Sequence, residues 1–261
     1  MNKMEREVPS FETPPGTDIG QLVDALMGDG PIAPALVALF LDPERLAARE
    51  AANRALRELD WANLGRYERS NAVIVASGQR PDLVFMGDSI SELWPLADPS
   101  LLTSGRLCRG ISGQTSPQML VRFQADVINL RPRVVHLLAG ANDIGGNTGP
   151  TTPLRFQHNM LAMISLAQAN DIDVVLGLMT PATAMPWSGE LDRSPWIAEL
   201  NGWLRQAAAE QDCHLVDYFA ALADGEDRLP ADCSHDGLHP NRRGYVRMRA
   251  VLEPVLERLG V

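Results

Sequence analysis

From Pro81 onward the chain alternates between short, nearly continuous apolar runs and longer stretches with helical spacing. The runs are "DLVFMG" (Asp82 to Gly87), "LCRGI" (Leu107 to Ile111), "RVVHLLAG" (Arg133 to Gly140), "DVVLGLM" (Asp173 to Met179) and "HLVDY" (His214 to Tyr218). Each has the length and the apolar content of a strand. Amphipathic helices are expected between them near Pro117 to Leu130, Pro153 to Asn170 and Pro195 to Gln211, with a last one near Asn241 to Leu259. Strand and helix in alternation imply a parallel sheet covered on both faces and joined by right-handed crossovers. The chain before Pro81 reads differently. It has a Pro-rich start, a short helical piece from Ile19 to Met27, and then "DPERLAAREAANRALRELDW". The Asp42-Pro43 pair suits an N-cap and first helical position, and strong helix formers follow. We therefore expect an N-terminal helical extension over residues 1–60 and an α/β domain over 61–261, without internal repeats.

A chain of 261 residues, 45% of them hydrophobic, can bury a core for one large domain or for one domain with an extension. Its formal net charge of −10 excludes the basic surface that nucleic acid requires, so nucleic acid is not an expected partner. The start "MNKMEREVPSFETPPG" has mixed charge and no apolar core, unlike a secretory signal. The run from Pro31 to Leu41 is too short to cross a bilayer and carries two prolines. The expectation is a soluble, cytoplasmic protein. Cys108, Cys213 and Cys233 show neither metal-ligand spacing nor a paired framework, and read as free thiols, with a Cys213–Cys233 disulfide left open.

In open α/β sheets the ligand site lies at the carboxyl ends of the strands. Those positions hold "GDSI" (Gly87 to Ile90), "ISGQTS" (Ile111 to Ser116), "GANDIGGN" (Gly140 to Asn147), the loop "TPATAMPWSGE" (Thr180 to Glu190) and "DCSHDGLHP" (Asp232 to Pro240). Taken singly, each is an ordinary polar turn or helix cap. Together they supply a serine, an aspartate, a histidine and a set of hydrogen-bond donors, in chain order and on one side of the sheet. Ser89 is a weak nucleophile that needs a base. His239 can serve as that base and later as the acid, and Asp236, three residues earlier, can hold the ring in the useful tautomer. His235 is the competing histidine, but it is adjacent to Asp236, where side chains tend to point apart. His136 lies in an apolar run and reads as a core residue; Asp88 and Asp143 read as braces of their loops. Ser89 lacks the second glycine of the G-x-S-x-G elbow, which disfavours the ordinary α/β-hydrolase arrangement.

The four blocks resemble those of the SGNH hydrolases, or GDSL esterases and lipases, from about Asp82 to the C-terminus. Gly87-Asp88-Ser89-Ile90, Gly113, Gly140-Ala141-Asn142-Asp143 and Asp236-Gly237-Leu238-His239 match the family's signature positions. The resemblance implies a three-layer α/β/α sandwich of flavodoxin-like type, with a five-stranded parallel sheet in the order 2-1-3-4-5. It also implies a serine esterase acting through an acyl-serine intermediate, with Ser89, Asp236 and His239 as catalytic triad and no metal or organic cofactor. The implied oxyanion hole consists of the Ser89 and Gly113 N–H groups and the Asn142 amide. The strand-end loops look short, which points to small acyl groups such as acetyl, on small molecules or sugars. Trp94 and Trp187 are candidate walls of the substrate pocket. Acyl transfer with the same triad, and a non-catalytic ligand-binding module, are the alternative functions. A homo-oligomer formed through the N-terminal arm is a further expectation.

Overall fold

The computed structural model describes residues 18–28, 30–40, 42–102, 105–182 and 194–261. Three helices come first: α1 (Asp18–Met27), α2 (Pro34–Phe40) and α3 (Pro43–Leu59). As its sequence suggests, α3 starts at Asp42, whose carboxylate accepts the Arg45 N–H at 2.9 Å. Helix α4 (Glu68–Ser77) then leads into an alternating series: β1 (Leu83–Gly87), α5 (Ser89–Ala97), β2 (Arg106–Gly110), α6 (Ser116–Asp126), β3 (Val134–Leu138), α7 (Ala141–Gly145), α8 (Pro153–Gln168), β4 (Asp173–Gly177), α9 (Ser194–Glu210), β5 (His214–Val216), α10 (Tyr218–Leu222) and α11 (Arg242–Leu259).

The five strands pair in parallel in the order β2-β1-β3-β4-β5. Every residue of β1 and β3 is buried, which accounts for their unbroken apolar sequence. Alternate side chains feed two cores. Val84, Met86, Val135, Leu137, Val174 and Leu176 meet α6, α8 and α9 on one face. On the other face Leu83, Phe85, Val134, Leu138, Val175 and Val216 meet α5 and α11, and Met27 of α1 is buried in that same cluster. The order reverses between β1 and β3, so the crevice at their carboxyl ends is the natural ligand site. Gly87 of β1 lies level with Gly110 of β2 and Leu138 of β3.

A buried polar network ties the segment after position 60 to this frame. The Ala62 carbonyl accepts from Gln114 Nε2 at 2.7 Å and the Trp61 carbonyl from Gln118 Nε2 at 2.6 Å. Asn71 of α4 donates to Asp126 at 2.6 Å and accepts from Arg109 Nε at 2.9 Å. At its centre Arg122, fully buried, donates to Gln114 Oε1 at 2.5 Å, to Asp126 Oδ2 at 2.8 Å and to the Gly87 carbonyl at 3.1 Å. A buried ion pair gains little over apolar residues, but removing one partner strands the other's charge and hydrogen bonds. Arg122→Ala should therefore lose about 3 to 5 kcal/mol of unfolding free energy in urea denaturation. Arg54→Ala, which breaks a pair with Glu50 that is about 70% exposed on both sides, should leave the midpoint unmoved. Equal effects would remove Arg122 from the centre of this network.

Candidate active site

Strand β1 ends on Gly87, where an added Cβ would lie 2.9 Å from the Leu138 carbonyl and inside the Ser91 side chain. The glycine lets strand and helix meet at a sharp turn. Asp88 caps α5 by accepting the Ile90 N–H at 3.0 Å, which places Ser89 at the first helical position, only 9% exposed. Its N–H is then one of the four that a helix start leaves without an internal acceptor.

The partner of Ser89 comes from 150 residues away: Ser89 Oγ lies 2.9 Å from His239 Nε2. The other ring nitrogen, Nδ1, lies 2.6 Å from Asp236 Oδ2. The loop that carries both is folded around the carboxylate. Asp236 Oδ1 accepts the N–H groups of Leu238 at 2.9 Å and His239 at 2.8 Å, so the aspartate shapes the backbone that presents the ring. A carboxylate at Nδ1 places the proton on that nitrogen and leaves Nε2 as an acceptor facing the serine hydroxyl. Burial pushes the Asp236 carboxyl up, but the His239 ring and the two N–H groups outweigh it and hold the carboxyl at about 2. The rest of the loop is pinned by Asn241, which caps α11 at the Gly244 N–H and reaches back to the Asp232 carbonyl at 3.0 Å. His235 points elsewhere, with Nε2 2.8 Å from the Gly28 carbonyl at the end of α1.

Gly113 has φ +79°, a left-handed conformation that favours glycine, and its N–H has no acceptor among the described residues. The conformation, more than crowding, demands glycine here, since an added Cβ would meet nothing closer than Asn147 Nδ2 at 3.7 Å. Asn142 is buried on α7 and donates to the Gln114 carbonyl at 3.1 Å and, at a longer 3.3 Å, to Asp88 Oδ2. The structure thus gathers Ser89, His239, Asp236, Gly113 and Asn142 around one end of β1.

Two other expectations fare differently. Trp94 does not line a pocket. It is fully buried, with its ring 5.9 Å from Phe85, 5.8 Å from Tyr218 and 5.4 Å from Tyr245. The reason is helical: five residues at 3.6 per turn set it roughly 140° around α5 from Ser89, on the face that packs against the sheet. Trp187 lies outside the described residues. His136 is a core residue, as its apolar run suggests, with Nε2 2.8 Å from the Tyr218 hydroxyl, and burial lowers it to about 3. Cys108, Cys213 and Cys233 are unpaired. Among the described residues, no three His, Cys, Asp or Glu side chains converge as metal ligands would, and no helix is long and apolar enough to cross a membrane.

Sequence reasoning missed two residues. Glu92, one helical turn after Ser89, accepts the Ser112 N–H at 2.7 Å and hydroxyl at 2.5 Å, while its other oxygen meets Arg66 at 3.1 Å. It fastens the Gly113 loop to the helix of Ser89, and the i,i+3 spacing was the available signal. Asn147 closes the "GANDIGGN" block and bridges Gly113 and Asn142 at 3.0 and 2.8 Å.

The model of the GDSL-like Lipase/Acylhydrolase family matches residues 85–247. The chain belongs to that family, the SGNH hydrolases. Among solved structures, a protein of Bacteroides fragilis NCTC 9343 assigned as an acylhydrolase shares 39% identity, over 77% of this chain and 98% of that one, with a TM-score of 0.72. A GDSL-like lipase of Bacteroides thetaiotaomicron VPI-5482 shares 37% identity, over 77% of this chain and all of that one, again at 0.72. An acetyl-xylooligosaccharide esterase of Geobacillus, at 18% identity over 69% of this chain and 94% of that one, shares the fold at a TM-score of 0.54. No curated protein matches the chain significantly. As a member of the family, this SGNH hydrolase is a carboxylic ester hydrolase.

The Asp88 and Asp143 carboxyls behave oppositely to Asp236. Burial raises Asp88 to about 6 despite the Ile90 N–H and the nearby His239, and burial raises Asp143 to about 6 despite the Ser116 N–H and hydroxyl that it accepts. A carboxyl that holds its proton more tightly folded than unfolded contributes stability that is complete below its ordinary value of 3.8 and lost as pH rises through 6. In thermal unfolding, Asp88→Asn of this SGNH hydrolase should flatten the decline in stability across that window, leaving the share of Asp143. An unaltered slope would show that Asp88 does not titrate there.

Proposed function

We propose that this SGNH hydrolase cleaves short-chain carboxylic esters through an acyl-serine formed at Ser89. The observation that carries the reading is the continuous relay from Ser89 Oγ through His239 to Asp236, at 2.9 and 2.6 Å, beside N–H groups that have no acceptor among the described residues.

Ser89 Oγ attacks the ester carbonyl carbon while His239 Nε2 takes its proton. The imidazolium so formed is stabilised by Asp236, which stays ionised because its carboxyl is held at about 2. Negative charge on the carbonyl oxygen is met by the N–H groups of Ser89 and Gly113 and by Asn142 Nδ2. The longer of the two Asn142 bonds, that to Asp88 at 3.3 Å, is the one a substrate oxygen would replace. His239 then gives its proton to the departing alkoxide. Water attacks the acyl-serine with His239 again as base, and Ser89 leaves with the proton returned to it. Donors aimed at the developing oxyanion are commonly the largest contribution to such a rate enhancement, and losing one costs about 3 to 4 kcal/mol of barrier.

The acyl group would enter a narrow recess lined by Asp88, Ile90, Leu138, Ala139, Ala141, Met179 and Thr180. It lies between the turn that holds Ser89 and the helix that holds Asn142, its walls are mostly apolar, and its small size favours the shortest acyl groups over long chains.

The test is hydrolysis of p-nitrophenyl esters from acetyl to palmitoyl. Turnover should be highest at the short end, Ser89→Ala should lower kcat by at least about 10⁴-fold, and Asn142→Ala by about 10²- to 10³-fold. A palmitoyl preference would refute the short-chain reading, and activity surviving in Ser89→Ala would refute the site.

A further inference from the structure

We infer that Asn147 is a positioning residue of the oxyanion hole, setting the orientation of the Asn142 amide and the seat of the Gly113 loop. The inference rests on the reading of Gly113 and Asn142 as oxyanion donors.

The argument begins from what each partner is able to do. The Gly113 carbonyl accepts hydrogen bonds and has none to give, so the Asn147 side chain must turn its NH₂ toward it, which it does at 3.0 Å. An amide nitrogen has two hydrogens. The second points at Asn142 at 2.8 Å, and an acceptor is needed there too, so Asn142 must present Oδ1. Its own nitrogen is thereby sent to the opposite side, toward Gln114, Asp88 and the nucleophile. Were Asn142 flipped, two NH₂ groups would face each other and an oxygen, useless to an oxyanion, would occupy the hole. One side chain thus fixes which way a second one points.

The backbone strengthens the same link. Gly146 takes φ +72° and turns the chain back at the end of α7, and the Asn147 N–H then caps the Asn142 carbonyl at 3.1 Å. Asn147 therefore holds Asn142 at both its main chain and its side chain. The next residue, Thr148, meets Thr115 hydroxyl to hydroxyl at 3.0 Å, which joins the two loops a second time. Glu92 holds the Gly113 loop from the far side through Ser112. The hole donors are thus braced on two flanks, by Glu92 on the nucleophile's helix and by Asn147 on their own.

Because the Gln114 carbonyl still favours the working orientation of Asn142, loss of Asn147 should weaken the hole without abolishing it. The experiment measures kcat and KM on p-nitrophenyl acetate for Asn147→Ala, Asn147→Asp, Asn142→Ala and the Asn142→Ala/Asn147→Ala pair, with thermal midpoints alongside. Asn147→Ala should lower kcat about 10- to 30-fold with KM changed less than about two-fold, on the order of half, in free energy, of the loss expected for a whole donor. Asn147→Asp should be worse than Asn147→Ala, although it nearly preserves shape, because a carboxylate repels both the Gly113 carbonyl and Asn142 Oδ1. In the Asn142→Ala background the further loss should shrink to under about one third of its value in the parent. A space-filling role would give the reverse order, with Asp milder than Ala, and a fully additive double variant; either result overturns the inference. Loss in Asn142→Ala with none in Asn147→Ala or Asn147→Asp overturns the positioning role while sparing the hole. No loss in Asn142→Ala overturns the hole itself and the inference with it. Should Asn147→Ala fail to fold, the ranking of Asn147→Asp against Asn147→Ser on folded protein decides the matter in the same way.

Discussion

A single buried guanidinium, that of Arg122, joins the parts of this molecule that must stay in register. Taking a cation out of water costs several kcal/mol, which is recovered only with good geometry and hydrogen bonds. Here each of the three nitrogens donates one: to the Gly87 carbonyl at the end of the Ser89 strand, to the Gln114 side chain in the Gly113 loop, and to Asp126 on the helix behind that loop. Gln114 passes the constraint on, with its side-chain nitrogen to Ala62 and its carbonyl to Asn142. The turn that presents Ser89 and the loops that would receive an oxyanion are therefore referenced to one fixed charge. Preorganised donors act only if they do not have to move when charge develops, and this network makes movement expensive.

Three buried or half-buried aspartates around the same crevice show how environment divides one residue type into different roles. Asp236 is wrapped by two N–H groups and an imidazole, and these hold it far on the ionised side. Asp88 and Asp143 are buried more deeply with fewer compensating donors, and both are raised to about 6. Asp236 faces the His239 ring, 2.6 Å from Nδ1. Asp88 caps the helix of Ser89, and the nearby His239 ring lowers its carboxyl against the larger effect of burial. One carboxyl thus both braces the turn and lies in the field of the ring.

Much of this was legible in the sequence, for reasons that differ from residue to residue. The inner strands β1, β3 and β4 announced themselves because a doubly covered sheet needs nearly unbroken apolar runs, and the Asp236-x-x-His239 pairing is local enough to read from spacing. The meeting of Ser89 with His239 across 150 residues was legible from their shared place at strand ends and their complementary chemistry, not from spacing. Helix α5 was hidden: its nine residues contain Pro95, no helix was expected between the first two strands, and the buried face that carries Trp94 therefore went unseen. Helix α4, with Val73, Ile74 and Val75 among its ten residues, has no clear helical stripe, and its place depends on Asn71 reaching Asp126 and Arg109. Polar networks of that kind leave no periodic signal, because each member sits on a different element and only the fold makes them neighbours.

The substrate lies a step further from the sequence than the chemistry does, and the geometry shows why. The relay needs three side chains whose spacing is enforced by a turn and a loop, so it survives large changes elsewhere. The recess beside it is assembled from Asp88 and Ile90 after β1, Leu138, Ala139 and Ala141 at the end of β3, and Met179 and Thr180 after β4. None of these wall residues belongs to the Ser89, His239 and Asp236 relay, so a larger side chain at Ala139 would reshape the recess without touching the hydrogen bonds of the relay. The proposed oxyanion hole stands between these extremes. Its donors are mostly backbone, and what sets them is a ring of carbonyls and amides that must agree on which atoms donate and which accept.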